Sequence, residues 1–83
     1  MTSLSMGLAD AVRRLRAAAG YSQEAFAAKA GLHRTFMGAV ERGKTKVSLE
    51  TLERIAGALE LHVWQLLRCA ETEGETYSKV AEP

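Results

Sequence analysis

The amino-acid sequence predicts an all-α fold: one domain of five short helices. Apolar residues recur at helical spacing, and glycine-containing breaks interrupt them at short intervals. No segment sustains the alternation of a half-buried strand. With 83 residues, 47% hydrophobic and 25% charged, the chain has the composition of a folded protein and room for one small domain. A two-domain enzyme, a barrel or a nucleotide-binding α/β unit does not fit. So small a domain buries only about 60% of its unfolded surface and often gains stability from a partner subunit.

Leu8, Val12, Leu15 and Ala19 define a first helix over about residues 7–19, stopped by Gly20. Ser22 caps a second helix through about Ala30, because its hydroxyl can accept a free N–H of the first turn, and Glu24 suits the positive helix terminus. Tyr21 and Phe26 have the spacing of a hydrophobic staple across that cap. After Gly31 a third helix runs over about 33–42, stopped by Gly43. The loop Lys44-Thr45-Lys46 leads to Ser48, which caps a fourth helix through about Leu59. Val47 and Leu52 repeat the staple there, and Leu49, Leu52, Ile55, Ala56 and Leu59 make its apolar face. A fifth helix is expected from about His62 to Ala70. Residues 7–70 form the domain, and the segments 1–6 and 71–83, which lack apolar periodicity, are expected to be flexible.

Composition excludes several classes. No apolar run reaches the roughly 18 residues of a membrane span, and no secretory signal pattern is present. Cys69 stands alone, and two histidines cannot complete a four-ligand metal cage. A cytoplasmic protein without cofactors is expected. The net charge of +1 conceals an asymmetry. Residues 1–46 carry eight basic against three acidic side chains, a net +5, and residues 47–83 carry three against seven, a net −4. One basic half suits a polyanionic partner, but a solvated surface with charges placed by chance fits equally well. The motifs decide.

The stretch from Ser22 to Gly43, SQEAFAAKAGLHRTFMGAVERG, reads as a short helix, a tight turn and a second short helix. That is the helix-turn-helix pattern, whose second helix enters the major groove of DNA. Ala27 is small where the helices cross, and Gly31 sits where the turn needs a positive φ. Phe26, Met37 and Val40 have the spacing to bury beneath the second helix. His33, Arg34 and Thr35 then point away from the core, and Gly38 and Ala39 fall on the outward side, which leaves few long readers in the later turns.

On these motifs, together with ERGK after the second helix and SLETLERIAGALEL, the chain resembles the Xre/Cro type of phage-repressor-like helix-turn-helix domains over about residues 8–68. The run RTFMGAVER is also similar to the small controller proteins of restriction–modification systems. The resemblance implies a compact five-helix repressor-like domain and a dimeric, sequence-specific transcriptional regulator on a partly palindromic operator near its own gene, acting by blocking or contacting RNA polymerase. It implies base contacts by His33, Arg34 and Thr35, and backbone contacts by Gln23, Arg42, Lys44 and Lys46. It also implies a partly buried ion pair between Arg16 and Glu41. Physical chemistry supports the roles: arginine can donate two parallel hydrogen bonds to guanine, and loop lysines add salt-dependent affinity without sequence information. His33 departs from the family, standing where a better helix cap is usual; it reads as an exposed histidine or a phosphate contact.

Trp64 leaves two readings open. Val63, Leu66 and Leu67 supply the inward spacing of the fifth helix, so Trp64 either joins Leu61 and Leu67 in a homodimer surface or folds back over the core. No phosphate loop, metal-spaced cluster or nucleophile–base arrangement is present, and an enzyme is not expected. Nor is a small-molecule ligand. The alternative to a DNA-binding regulator is a protein-interaction module, such as an antitoxin-like partner on the same fold. The clustering of Arg34, Lys44 and Lys46 argues against it.

Overall fold

A computed structural model describes residues 4–81, and side chains as far as Thr72. Five helices follow one another: α1 (Leu4–Ala18), α2 (Gln23–Ala30), α3 (Arg34–Glu41), α4 (Leu49–Ala58) and α5 (Val63–Ala81), with no strand among the described residues. The expected caps form. Ser22 Oγ accepts the Ala25 N–H at 3.1 Å, and Ser48 Oγ accepts the Thr51 N–H at 3.1 Å. Each satisfies a backbone donor that has no partner within its own helix. The Tyr21 and Phe26 rings meet across the first cap with centroids 6.0 Å apart.

Phe26, Met37, Ile55, Leu66 and Val12, one from each helix, are the largest fully buried side chains. They place a single core between the helix-turn-helix pair and the α1/α5 layer, whose two helices make the most extensive contact in the fold. Leu52 and Ala56 are buried as the period predicts, but Leu49, expected on the same face, is 75% exposed. It is the first residue of α4 and stands at the edge of the packing.

The ends differ from the sequence-based expectation. α1 begins at Leu4 and α5 continues beyond Ala70 to Ala81. Of the two segments expected to be flexible, residues 1–3 and 82–83 lie outside the described residues. No described helix is long and apolar enough to cross a membrane.

The turn between α2 and α3 fixes the angle at which α3 is presented. Gly31 takes φ 70°, and the Leu32 N–H bonds back to the Ala27 carbonyl at 2.9 Å. Arg54 on α4 reaches over this turn, and its Nη1 would lie 2.8 Å from a Cβ at Gly31. Two glycine substitutions should therefore have opposite signs. Gly31→Ala is expected to destabilise by about 1–2 kcal/mol through the left-handed backbone alone. Gly57→Ala, inside α4 with nothing within 4 Å of its added methyl, should stabilise by about 0.8–1.0 kcal/mol. Urea unfolding of both variants checks the pair.

Candidate nucleic-acid interface

The end of α3 is tied to α1 by the ion pair that the sequence resemblance implies. Arg16 Nε donates to Glu41 Oε2 at 2.6 Å and Nη2 donates to Oε1 at 3.0 Å, a two-pronged contact across 25 residues. Arg16 Nη1 also donates to the Tyr21 carbonyl at 2.8 Å, which draws the α1–α2 turn into the same group. Glu41 is 4% exposed and is the one charged residue among the buried described residues. Hydrogen bonding to Glu41 raises the Arg16 pKa above its ordinary value. The associated stability is complete below that ordinary value and is lost only as strongly alkaline pH passes the raised one. Gln23 joins as a third member, its Nε2 donating to Glu41 Oε1 at 3.3 Å.

The three residues expected to contact bases fall at the start of α3. His33 is its N-cap: Nδ1 accepts the Thr35 N–H at 3.1 Å. The imidazole thus fills the capping role for which its residue type is poorly suited, and accepting at Nδ1 places its ring proton on Nε2. Arg34 and Thr35 are exposed. Arg34 Nη1 pairs with Glu24 Oε2 at 3.1 Å, with both side chains largely in solvent. Sequence reasoning gave Glu24 only a helix-dipole role. A contact ten residues away across a turn leaves no periodic trace.

Gly38 departs from expectation. It is buried rather than outward-facing, because the side chains of Gln23 and Arg42 lie over it. Gln23, at the start of α2, and Arg42, at the C-cap of α3, are thereby brought to one place. Lys44 and Lys46 are exposed on the loop that follows. Trp64 is 60% exposed, so it does not fold back over the core. Leu61 is half-buried, and Leu67, also half-buried, packs on the core. Cys69 is half-buried and lines a cleft with Ala11, Arg14, Leu15 and Ala18. No group of three or more His, Cys, Asp or Glu among the described residues could hold a metal ion.

Because Arg16 would be left without its counter-charge in a partly buried site, Glu41→Ala is expected to cost about 3 kcal/mol. For a domain of this size that lowers Tm by roughly 12–24 °C. An unchanged melting temperature would mean that the pair contributes no net stability.

A family model described as helix-turn-helix matches residues 12–63. Over 60 residues the chain is 47% identical to the control protein C.SmaI of Serratia marcescens, covering 72% of this chain and 71% of that protein. It is 42% identical over 60 residues to a hypothetical transcription factor of Neisseria meningitidis serogroup B, covering 72% of this chain and spanning 57% of that relative's length. The solved structure of the restriction–modification controller protein C.AhdI from Aeromonas hydrophila superposes with a TM-score of 0.72 at 39% identity, covering 75% of this chain and 94% of that one. With α2, its glycine turn and α3 built as that motif requires, the chain belongs to the helix-turn-helix family.

Proposed function

We propose that this protein is a DNA-binding transcriptional regulator that acts as a homodimer on a partly palindromic operator. The observation that carries the reading is the combination of a capped third helix, exposed at its start, with cationic side chains on the loop that follows it. The kinship with control proteins and a transcription factor supports the same conclusion. His33, Arg34 and Thr35 open α3 and stand where side chains of a docked helix reach base edges. Arg34 is the principal reader, because its guanidinium can bridge Glu24 and still offer two parallel N–H groups to one guanine. Gln23, Arg42, Lys44 and Lys46 bind the sugar–phosphate backbone and set register and affinity.

Dimerisation supplies what one module lacks. Two copies double the base contacts and place their recognition helices about 34 Å apart, matching half-sites one helical turn apart. An exposed tryptophan with Leu61 and Leu67 nearby on the same helix–turn segment is the surface we assign to the partner copy. The acidic second half, with Glu50, Glu53, Glu60 and Glu71 exposed, leaves a face suited to RNA polymerase when the operator is occupied. The likeness to restriction–modification controllers points to a site near its own gene, with occupancy set by the protein's abundance. No catalytic role is assigned, and the site of action is the cytoplasm.

Selection from a random duplex pool at physiological salt tests the reading. Enriched paired half-sites about one turn apart are the expected result. No enrichment, with no salt-dependent retention of DNA, would leave the fold as a protein-interaction module. On the recovered site, Arg34→Ala should cost about 1–3 kcal/mol and relax preference at one base pair. Lys46→Ala should weaken all sequences alike and reduce the salt slope by about 1. Fluorescence-anisotropy titrations on selected and scrambled duplexes separate the two behaviours, and equal losses on both duplexes for both variants would contradict the division of labour.

A further inference from the structure

Gly38 sits in the middle of α3, where glycine lowers helix stability relative to alanine. Its surroundings show what the missing side chain permits. A Cβ at this position would stand 3.1 Å from Arg42 Nη1, 3.4 Å from Gln23 Oε1 and 3.8 Å from Gln23 Cδ. Those neighbours are the ends of two flexible side chains, not the backbone of α2, so the glycine does not serve a close approach of helix backbones. Arg42 is four residues after Gly38 and shares its face. Helical side chains lean toward the N-terminus of their helix, which lays the Arg42 guanidinium back along α3 into the space the absent methyl leaves.

Gln23 comes to the same place from α2. One hydrogen of its amide nitrogen is committed to Glu41, which leaves the second. We propose that Gly38 is a positioning residue for DNA-backbone recognition: by lacking a side chain it seats the Arg42 guanidinium beside the Gln23 amide, so that donors from α3 and α2 meet one phosphate. The inference rests on the DNA-binding reading above. A guanidinium forms charge-assisted bonds with phosphate oxygens, and a neutral amide adds a further donor without repelling it. Seating Arg42 before DNA arrives removes part of the ordering entropy that an extended arginine loses on docking.

The test combines thermal melting with DNA affinity across a salt series, on a duplex recovered by selection. Wild type, Gly38→Ala, Arg42→Ala and the double variant are compared. Gly38→Ala is expected to melt at or above the wild-type temperature, because alanine favours the helix and the obstructing guanidinium can move aside. It should nevertheless bind about fivefold more weakly, with the slope of log affinity against log salt reduced by about 1. Arg42→Ala should give the same loss, and the double variant no more than either single one. Unchanged affinity and slope in Gly38→Ala, or losses that add in full, would overturn the proposal. Should Gly38→Ala fail to fold, Gln23→Ala and Arg42→Ala form the deciding cycle: a shared phosphate requires non-additive losses, and additive ones refute it. Wild-type protein that binds no duplex at any salt would overturn the DNA-binding reading and this inference with it.

Discussion

A carboxylate taken almost wholly out of water forces the arrangement of everything around it. Glu41 ends the recognition helix inside the protein, and burial of an unpaired charge costs far more than a domain of this size has in net stability. Arg16 must therefore be in place, with two parallel bonds and a third to the Tyr21 carbonyl. That single contact binds α1, the α1–α2 turn and the end of α3 into one geometry. Gln23 hangs from the same carboxylate, and through it so does the start of α2. A buried pair of this kind is weak evidence for added stability over an apolar core, but it specifies one arrangement of its elements. Here that arrangement determines which side chains of α2 and α3 face outward together.

The outward surface has its own internal balance. Glu24 pairs with Arg34 in solvent, where such a contact is worth little, about 0.2–1 kcal/mol. Its consequence is orientation: the guanidinium has a preferred resting place beside α2 while most of its donors stay available. Arg42 lies back over Gly38, and the loop lysines remain in water. The side chains of this surface thus differ in how firmly they are held, with Gln23 and Arg42 seated against neighbours and Lys44 and Lys46 loose. On the reading proposed above, seated groups fix register on the DNA, and loose cations contribute affinity that falls with salt.

Much of this was legible in the sequence because the responsible interactions are local. Ser22 and Ser48 announce helix starts, and Gly31 announces the turn, since caps and a left-handed φ depend on one residue and its immediate neighbours. The positions of Phe26, Met37 and Val40 in the core follow from helical period. Where several elements converge, period was not enough. Gly38 projects outward on spacing alone, yet it is covered by long side chains from α2 and from the next turn of α3. The Glu24–Arg34 contact crosses a turn and carries no repeat. α4 ends without a glycine, with Glu60 taking φ 59° in its place, and α5 outruns its apolar pattern because helical backbone hydrogen bonds need no apolar repeat to continue. His33 is exposed as expected, and its role as the cap was hidden by residue type: imidazole is a poor cap on average, but Nδ1 two residues before an N–H is close enough to accept from it.

The central claim is that α3, the start of α2 and the loop after α3 form one DNA-binding face. Amide chemical-shift mapping of the ¹⁵N-labelled protein titrated with duplex DNA tests it most directly. The account predicts shifts concentrated at Gln23, Glu24, His33 to Thr35, Arg42, Lys44 and Lys46, in both low and physiological salt. Shifts centred on Trp64 and Leu61, with those residues unmoved, would contradict it.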